Sequence, residues 1–409
     1  MFTKEEIEKV VASSKVASSK GGVVRIKGLS TDSRTVKAGE LFVPLKGPKF
    51  DGRKFIPEVL EKGTFVLEVE DGLGALQKLA AYHRSKFNIP VIGVTGSVGK
   101  TTTKDMIAAI LSQQMPTLKN EENFNNEIGV PLTLLKLTKK HQAAVIEMGM
   151  QGLGEIKLLA EIARPTIAVI TNIGEAHLEK LKTRKNIAKA KTEIFAFLTK
   201  KDWAVINADD EFYEHLMSNV KCKMKNVCTF GIIEKAKVTP KDLKGINLPL
   251  PGEHNIYNAL AAIAVARILK ISRQKIKKGL EEFRPSSKRW DVINRTDKVK
   301  IINDTYNANP QSMAAALKVL AVLKGRKIAV LGEMLELGGR TKAAHQRILK
   351  LCRQLKIDKV LTVGQAWPAP FHAKETVIKN LRQIIQPRDI ILVKGSRSLK
   401  MEEVVEAIR

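Results

Sequence analysis

The sequence predicts an α/β protein built from three compact units. The chain has 409 residues, and because domains commonly hold about 150 residues, this length predicts two to three of them. Hydrophobic residues make up 44% of the chain, as in globular proteins rather than disordered ones. Short apolar runs rich in Val and Ile alternate with segments of helical periodicity. This alternation indicates strands joined by crossover helices, and hence parallel sheets.

The first unit, residues 1–84, is predicted to be a small mixed α/β domain. An opening amphipathic helix precedes a segment from about residue 23 to residue 67, in which short strands alternate with turns. The strand-like pieces of this segment are VVRIKGL, LFVPLKG and KFDGRKFI. A helical stretch, GLGALQKLAAYHRSKF, then leads into the second unit.

The second unit, residues 85–285, is predicted to hold a mostly parallel sheet. Its apolar runs have the length and composition of buried strands, and they are VIGVT, AAVIEMG, TIAVITNIG and WAVINADD. Helix-like segments separate them, as crossover connections require. A strongly apolar helix, EHNIYNALAAIAVARILKI, follows the last run and carries its His and Asn residues at its start.

The third unit, residues 286–409, is predicted to be a second open parallel sheet. Pro285, Ser286 and Ser287 are typical of a hinge before it. Its predicted strands are KVKIINDTY, RKIAVLGEM, KVLTVG and DIILVKG, with helices between them and at the end of the chain. The pattern is that of an open α/β sheet, in which ligands bind at the carboxyl ends of the strands.

The charge balance indicates an anionic partner. The formal net charge is +28, which favours nucleic acid, acidic lipid or phosphorylated substrates. Aromatic residues are only 5% of the chain, so there is little material for a surface that stacks on single-stranded nucleic acid. No apolar run reaches the roughly 18 to 20 residues of a membrane span, and the N-terminus lacks the apolar core of a signal peptide. We therefore expect a cytoplasmic protein without membrane insertion.

The three cysteines, Cys222, Cys228 and Cys352, match neither a C-x-x-C motif nor a zinc-binding spacing. We expect reduced, structural thiols rather than a disulfide or a metal site.

The sharpest local motif is a glycine-rich turn between an apolar strand and a helix. It comprises Gly96, Ser97, Val98, Gly99, Lys100, Thr101 and Thr102. Such a turn lets backbone amides approach an anion at a helix N-terminus, while the lysine reaches the β- and γ-phosphates and a threonine hydroxyl can bind Mg²⁺. The strict G-x-x-x-x-G-K-[ST] spacing is not met, so an ordinary strand-to-helix turn is the alternative.

Three further residues are candidates for a metal site. Glu147 ends one predicted strand and His177 follows another, at the sheet edge where Mg²⁺ could meet a bound nucleotide. Taken alone, each is also consistent with a solvated or hydrogen-bonded structural residue. Lys191 lies in a basic run, for which a solvated helix face is the simplest interpretation.

Long segments of the chain resemble the Mur ligase family. TGSVGKTTTKD is similar to the family's phosphate-binding segment, and further segments follow in the family's order: NFNNEIGVPLTLL, EMGMQGLGEI, TNIGEAHLE, NADD, GEHNIYNALAAIAVA, NDTYNANPQSM, LGEMLELG and VKGSRSLKMEEVV. DTYNANP and KGSRS resemble the branch that joins D-alanyl-D-alanine to UDP-MurNAc-tripeptide. The resemblance implies an N-terminal domain for the uridine nucleotide, a central P-loop ATPase domain and a C-terminal Rossmann-like domain that closes over the site.

The same resemblance implies an ATP- and Mg²⁺-dependent amide ligase of peptidoglycan precursor synthesis, which works through an acyl phosphate and releases ADP and phosphate. Its expected partners are UDP-MurNAc-tripeptide and D-alanyl-D-alanine, without nucleic acid, and we expect a monomer. The catalytic residues that it implies are Lys100, Glu147, His177, Lys191 and Arg289. Thr101 and Glu147 would hold one Mg²⁺, and His177 with a carbamylated Lys191 would hold another.

The resemblance also implies binding residues. Asn255 and Asn258 would face the adenine, and Arg289 and Asp304 would reach the phosphates and ribose. Candidates for the dipeptide site are Asn307, Asn309, Ser396 and Arg397, and candidates for the uridine nucleotide are Ser33, Arg34 and Thr35. Alternatives remain for some of these residues. Arg289 could be an ordinary surface residue, or Lys288 could reach the site in its place. Arg397 could cap a helix or lie at a domain interface, and residues 32–34 could form a plain Asx turn.

Three other functions compete with this one. A nucleic-acid-binding ATPase would use the net charge and the phosphate loop, but the lysines are spread along the chain and no groove-reading motif is present. A catalytically silent scaffold would not need the full set of charged residues. A sister ligase that adds a different amino acid would share the ATP site, and DTYNANP argues against it.

Overall fold

The computed structural model describes residues 1–18, 25–221, 226–233, 235–368 and 372–409. Cys222 and the first two residues of the strand predicted at residues 23–29 lie outside these ranges. Within them, three α/β domains follow one another, as the sequence predicts. No helix of the described residues is long and apolar enough to cross a membrane. Cys228 and Cys352 are buried free thiols, in agreement with the expectation for these two.

The N-terminal domain has a four-stranded mixed sheet in the order β1-β6-β3-β2. Strand β1 pairs antiparallel with β6, whereas β6, β3 and β2 pair in parallel. A separate two-stranded hairpin joins β4 to β5. The strands are β1 (Lys15–Ser18), β2 (Leu29–Ser30), β3 (Leu41–Phe42), β4 (Lys46–Gly47), β5 (Phe50–Asp51) and β6 (Phe65–Glu68), and the helices are α1 (Lys4–Val10), α2 (Ile56–Glu61) and α3 (Gly72–Ser85).

Helix α3 joins the N-terminal domain to the central domain. It packs on α1 at one end and on two helices of the central domain along its length. The Arg84 side chain donates to the carbonyl oxygens of Ala163 and Phe87, and His83 Nε2 lies 2.9 Å from the carbonyl oxygen of Leu137. One continuous hydrophobic core therefore runs from the N-terminal sheet to one face of the central sheet.

The central domain contains a six-stranded parallel sheet in the order β12-β11-β10-β7-β9-β8. Its strands are β7 (Val91–Thr95), β8 (Thr117–Lys119), β9 (Ala143–Glu147), β10 (Ile167–Ile170), β11 (Trp203–Asn207) and β12 (Val227–Phe230). Its helices are α4 (Lys100–Ser112), α5 (Gly129–Leu134), α6 (Glu155–Ala163), α7 (Leu178–Leu181), α8 (Arg184–Thr192), α9 (Tyr213–Lys221), α10 (Glu253–Ile268) and α11 (Arg273–Glu282). Helices α4, α10 and α11 cover the face of the sheet opposite α3.

The strand order places the functional residues at the middle of this sheet. From β7 the chain moves to the edge strand β8, returns to β9 beside β7, and then crosses to β10 on the other side of β7. Such a reversal opens a crevice at the carboxyl ends of the strands. The loops after β7, β9 and β10 therefore meet there.

The C-terminal domain has a five-stranded sheet in the order β13-β14-β17-β15-β16, with helices on both faces. Its strands are β13 (Asp291–Asn294), β14 (Lys300–Asn303), β15 (Lys327–Gly332), β16 (Lys359–Val363) and β17 (Ile390–Lys394), and its helices are α12 (Pro310–Val322), α13 (Thr341–Gln354), α14 (Lys374–Ile384) and α15 (Glu402–Ile408). The prediction of an all-parallel sheet is wrong at one edge, because β13 pairs antiparallel with β14. Strand β13 has no fully buried residue, so it lacks the apolar signature of the others.

Candidate active site

The phosphate loop is held in shape by the segment that follows β10. Asn172 clamps it on two sides: its Oδ1 accepts from the Val98 amide at 3.0 Å and its Nδ2 donates to the Val98 carbonyl oxygen at 2.9 Å. The Asn172 carbonyl oxygen accepts from the Ser97 amide, and the Thr171 hydroxyl also donates to Val98. A Cβ at Gly96 would overlap that hydroxyl. The amides of Ser97 and Val98 are thus already used, which leaves the first turn of α4 as the source of unpaired amides for an anion.

Helix α4 begins at Lys100, directly after Gly99, whose backbone has a φ of +84°. This left-handed conformation favours glycine, and a Cβ there would also collide with the Asn258 side chain at the start of α10. The Lys100 ammonium donates to the Gly96 carbonyl oxygen at 3.0 Å. Burial lowers the pKa of Lys100, while the negative charge of Glu147 acts in the opposite direction. The lysine is folded back over the loop, where a phosphate would sit.

Glu147, at the end of β9, is buried and tied to the phosphate loop. Its Oε2 accepts from the Thr101 hydroxyl at 2.7 Å and its Oε1 accepts from Asn125 Nδ2 at 2.8 Å. Burial disfavours the charged form, but the positive charges of Lys100 and Lys104 outweigh it and lower the pKa of the carboxyl group. Glu147 is therefore a buried carboxylate with a hydroxyl beside it, a pair of oxygen donors of the kind that Mg²⁺ prefers.

The backbone of Glu147 is fixed by Asn120, a residue that the sequence analysis missed. Asn120 Oδ1 accepts from the Glu147 amide at 2.9 Å, and Asn120 Nδ2 donates to the Glu147 carbonyl oxygen at 3.0 Å. The buried Lys104 in turn donates to the Asn120 carbonyl oxygen at 2.8 Å. The polar run NFNN that follows Asn120 is the only sequence signal for this arrangement.

Lys191, near the end of α8, is 1% exposed. Its side chain makes no hydrogen bond or ion pair with any of the described residues. Burial lowers the pKa of its amino group well below the ordinary value of 10.5, and the positive charge of Lys100 lowers it further. The interpretation as part of a solvated helix face is therefore wrong for Lys191, although its helix neighbour Lys189 is exposed.

The C-terminal domain closes one side of the site. Arg289 Nη2 donates to the Thr101 hydroxyl at 3.0 Å, and the guanidinium lies 3.6 Å from the centre of the Tyr306 ring. Lys288 points elsewhere and pairs with Glu402 at 2.9 Å. Asp304 pairs with the buried Lys394 at 2.6 Å, and Lys394 also donates to the Asn307 carbonyl oxygen. Lys394 is a second residue that the sequence analysis missed, although it opens the KGSRS segment.

These residues surround one cavity of about 880 Å³ between the central and C-terminal domains. The structure brings thirteen predicted site residues to it: Ser97, Gly99, Lys100, Thr101, Glu147, His177, Lys191, Arg289, Asp304, Asn307, Asn309, Ser396 and Arg397. In His177, Nδ1 lies 2.8 Å from Glu336 Oε2, and this contact lowers the pKa of the Glu336 carboxyl group.

Several side chains on the dipeptide side also have structural partners. Asn309 caps helix α12 by accepting from the Ser312 amide at 2.9 Å. The Ser396 hydroxyl accepts from the Leu335 amide, and Arg397 pairs with Glu402 at 2.7 Å. These residues line the cavity while they hold its wall together.

A second cavity of about 380 Å³ adjoins the phosphate loop. Asn258 and Gly99 line it, together with His254, Tyr257 and Asp209. Asn255 lines neither cavity: it is buried behind Asn258, whose Nδ2 donates to Asn255 Oδ1 at 3.1 Å. Neither Gly96 nor Thr102 lines either of these two cavities.

Ser33, Arg34 and Thr35 lie in a turn of the N-terminal domain, away from both cavities. Asp32 Oδ1 accepts from the Arg34 amide at 2.9 Å, which is an Asx turn, and the Arg34 guanidinium pairs with the same carboxylate. The carbonyl oxygen of the buried Ser33 accepts from Lys62 at 2.8 Å. The structure does not bring this turn together with the other predicted residues.

Comparison with known proteins finds a match for each of the three domains. Residues 25–95 match the Mur ligase family catalytic domain, residues 94–266 the Mur ligase middle domain, and residues 288–397 the glutamate ligase domain of Mur ligases. The UDP-N-acetylmuramoyl-tripeptide–D-alanyl-D-alanine ligase of Bacillus subtilis (strain 168) is 37% identical, and the match covers 93% of this chain and 93% of that one.

Solved structures show the same similarity. A crystal structure of MurF from Acinetobacter baumannii has a TM-score of 0.91 and 33% identity, and the match covers 99% of this chain and 98% of that one. A crystal structure of MurF ligase from Thermotoga maritima in complex with ADP has a TM-score of 0.82 and 29% identity, over 93% of this chain and 97% of that one.

Proposed function

The chain belongs to the Mur ligase family, and we propose that it joins D-alanyl-D-alanine to UDP-MurNAc-tripeptide in an ATP-dependent reaction of cytoplasmic peptidoglycan precursor synthesis. The curated relatives that cover its length are named for this reaction. The observation that carries the proposal is the convergence of the phosphate loop, Glu147, His177, Lys191 and Arg289 on one cavity.

In the first half of the reaction, the terminal carboxylate of the tripeptide attacks the γ-phosphorus of ATP, and ADP leaves. The product is an acyl phosphate, which activates a carboxylate that is otherwise a poor electrophile. Negative charge builds on the phosphoryl oxygens during this transfer, so positioned cations lower the barrier. Lys100 and the first-turn amides of α4 supply positive charge from the central domain, and Arg289 supplies it from the C-terminal domain.

The residues present fit Mg²⁺. The buried carboxylate of Glu147 and the Thr101 hydroxyl are hard oxygen donors 2.7 Å apart, and Mg²⁺ usually takes one or two protein ligands and completes its shell with phosphate oxygens and water. No cluster of three or more His, Cys, Asp or Glu side chains suited to a metal is found in the described part of the chain. Thr101 and Glu147 would hold one ion, and His177 and Lys191 a second. Bound Mg²⁺ would neutralise charge on the transferring phosphoryl group.

We propose that Lys191 is carbamylated. Its amino group is buried without an ion-pair partner among the described residues, and its lowered pKa favours the neutral amine. A neutral amine can attack the carbon of CO₂ and lose a proton, which yields a carbamate anion. That change would replace an amino group, which repels Mg²⁺ when it is protonated, with oxygen ligands that bind Mg²⁺.

In the second half, the free amine of D-alanyl-D-alanine attacks the acyl phosphate carbon, and phosphate leaves as the amide forms. Asn307, Asn309, Ser396 and Arg397 line the C-terminal wall of the cavity and are proposed to bind this dipeptide. The Arg397 guanidinium suits a carboxylate, since it can donate two parallel hydrogen bonds. The Asx turn at Ser33, Arg34 and Thr35 stays a proposal for the uridine nucleotide.

The adenine of ATP is proposed to occupy the second cavity, next to the phosphate loop. Asn258 lines this cavity, and Asn255 would act through it rather than by direct contact. Asp304 faces the larger cavity, paired with Lys394, and is proposed to receive the ribose.

The test is a phosphate-release assay with ATP, UDP-MurNAc-tripeptide and D-alanyl-D-alanine, in which each is omitted in turn. We expect steady phosphate release and an amide product only when all three are present. A panel of other amino acids and dipeptides in place of D-alanyl-D-alanine serves as the control. Amide formation with a different amine, and none with D-alanyl-D-alanine, would identify a sister ligase. Phosphate release that responds to DNA but not to UDP-MurNAc-tripeptide would contradict ligase function.

A further inference from the structure

A carboxylate of the C-terminal domain contacts the candidate histidine of the central domain. His177 follows β10, whereas Glu336 follows β15, and their side chains meet with Nδ1 2.8 Å from Oε2. His177 Nε2 makes no hydrogen bond within the described residues. Both residues line the larger cavity. The contact therefore connects the two walls of the site.

The backbones of both residues are in the left-handed region, with φ of +60° for His177 and +62° for Glu336. Neither is glycine, asparagine or aspartate, so each conformation costs about 1 kcal/mol or more and persists only where the surroundings impose it. The Glu179 amide donates to the Glu336 carbonyl oxygen at 3.3 Å, which adds a backbone contact across the same interface. Residues held in strained backbone conformations often lie at active sites.

The loop that carries Glu336 is anchored within its own domain. The Met334 amide donates to Nε2 of the buried His345 at 3.1 Å, and the Leu335 amide donates to the Ser396 hydroxyl at 2.9 Å. The two residues whose amides make these hydrogen bonds immediately precede Glu336 in the chain. Its carboxylate therefore reaches His177 from a braced loop rather than from a free one.

We propose that Glu336 is a positioning residue for His177: its carboxylate accepts a hydrogen bond from Nδ1–H, fixes the orientation of the ring and leaves Nε2 with a free lone pair that faces the site. Carboxylates orient metal-binding histidines in this way in many proteins. The role of His177 in the reaction rests on the proposed function, whereas the orientation of its ring does not. Because Glu336 belongs to the C-terminal domain, His177 is oriented only when that domain is in place.

The first test reads the tautomer directly. Full-length, ligand-free protein labelled with ¹⁵N-histidine is studied by NMR, and the His177 signal is assigned as the one missing from His177→Gln. The sequence has only seven histidines, so the assignment is tractable. We expect the Nδ1-protonated tautomer in the native protein, its retention in Glu336→Gln, whose amide oxygen still accepts, and its loss in Glu336→Ala.

The matched control is Glu179→Gln. Glu179 is an exposed carboxylate two residues from His177, with no side-chain hydrogen bond or ion pair among the described residues. The Glu179→Gln substitution should leave the His177 signal unchanged. The same tautomer in Glu336→Ala as in the native protein would overturn the proposal, and this result does not depend on which reaction the protein catalyses.

The second test is kinetic. We expect Glu336→Ala to lower kcat by about 10- to 100-fold, with KM for ATP changed by less than about twofold, because the phosphate loop is untouched. The melting temperature should change little, since the Glu336 side chain is 54% exposed. In the double variant with His177→Gln, kcat should be no lower than in His177→Gln alone. If the fold-loss of kcat in the double variant equals the product of the fold-losses in the two single variants, Glu336 acts independently of His177, which would contradict the proposal.

Discussion

Lys191 illustrates at the residue scale what the tertiary structure adds to a sequence motif. The basic run that contains it is typical of a solvent-exposed helix, and Lys189 in the same run is exposed. Lys191 is buried because it lies on the face of α8 that contributes Ile187 and Ala190 to the hydrophobic core, next to the larger cavity. Periodicity alone could not distinguish the two lysines, since the face of a short helix that becomes buried depends on distant segments.

We predict that Lys191→Ala reduces ligation by about 100-fold or more. The reason is that the proposed carbamate oxygens would be lost, and nothing else on α8 replaces them. Added short carboxylates, such as acetate or formate, should restore part of the activity by occupying the vacated space. Phosphate release with and without acetate measures this, and Lys189→Ala should behave like the native protein. Full activity of Lys191→Ala without rescue would reject the proposed role.

A second residue-scale prediction concerns Asn120. Asn120→Ala removes the paired hydrogen bonds to the backbone of Glu147 and leaves buried groups unsatisfied, so we expect a loss of about 2 kcal/mol. For a domain of about 200 residues, this corresponds to a fall of about 4 to 8 °C in melting temperature. Activity should also fall, because Glu147 would no longer be fixed.

The control for Asn120 is Asn226→Ala, which removes one hydrogen bond, to the Lys200 carbonyl oxygen, away from the site. Its melting temperature should change by no more than about half as much. Equal falls in melting temperature for the two substitutions would contradict the proposed contribution of the paired Asn120 hydrogen bonds to stability.

Residues with a local signature could be predicted from the sequence, whereas residues that act through distant contacts could not. Glycines, a lysine and threonines between a strand and a helix identify a phosphate loop because the chemistry lies within seven consecutive residues. Asn172 and Lys394 act through segments far away in the chain, so only the fold reveals their roles. Asn255 shows the limit of a resemblance, since it lies behind Asn258 rather than on a cavity.

At the scale of the elements, helix α12 shows how one side chain can serve both stability and binding. Asn309 caps the helix, and the Ser312 hydroxyl accepts from the Asn309 amide in return, which forms a capping box. Pro310 at the first helical position strengthens the start. A dipeptide that contacts Asn309 would therefore meet a side chain that is already fixed.

We predict that Asn309→Ala destabilises the first turn of α12 by about 1 kcal/mol, because the Ser312 amide loses its acceptor. Amide hydrogen exchange over residues 307–322 should become about fivefold faster. Asn309→Asp keeps the cap and should retain native exchange. If KM for D-alanyl-D-alanine rises in Asn309→Asp while exchange is unchanged, Asn309 also binds the dipeptide. Unchanged exchange in Asn309→Ala would contradict the capping role.

Among the elements, the fully buried strands of the central sheet are predicted correctly, whereas its edge strand β8 and the edge strand β13 of the C-terminal sheet are missed. Strands β7, β9 and β10 are fully buried over their lengths and stand out as Val- and Ile-rich runs. The edge strands β8 and β13 are short or exposed and give no such signal. Edge strands depend on pairing with a neighbour rather than on burial, so single-sequence periodicity has little to detect.

At the scale of the whole molecule, Glu402 links the last helix to the start of the C-terminal domain. Its carboxylate accepts from Lys288, next to Arg289, and from Arg397, on the cavity wall. Burial opposes ionisation of Glu402, but the hydrogen bonds from these two cations overcome it and lower the pKa to about 2. The end of the chain is thereby linked to the segment that carries Arg289.

This pairing predicts a pH dependence of stability. A carboxyl group whose pKa falls from 4.5 to about 2 on folding stabilises the protein above pH 4.5 and loses that contribution as the pH falls toward 2. We therefore expect Glu402→Gln to melt at a lower temperature than the native protein at pH 7, with a difference that shrinks below pH 4.5. Glu406→Gln, an exposed change on the same helix, is the control. A difference that stays constant from pH 7 to pH 3 would exclude Glu402 as its source.

The division of the larger cavity between two domains has a consequence for synthesis of the protein. During translation, the phosphate loop at residues 96–102 is made before Arg289, which donates to the Thr101 hydroxyl beside that loop. A nascent chain that stops short of residue 286 therefore carries the phosphate loop without the C-terminal wall of the cavity. We expect such a truncated product to hydrolyse little ATP, because it lacks Arg289.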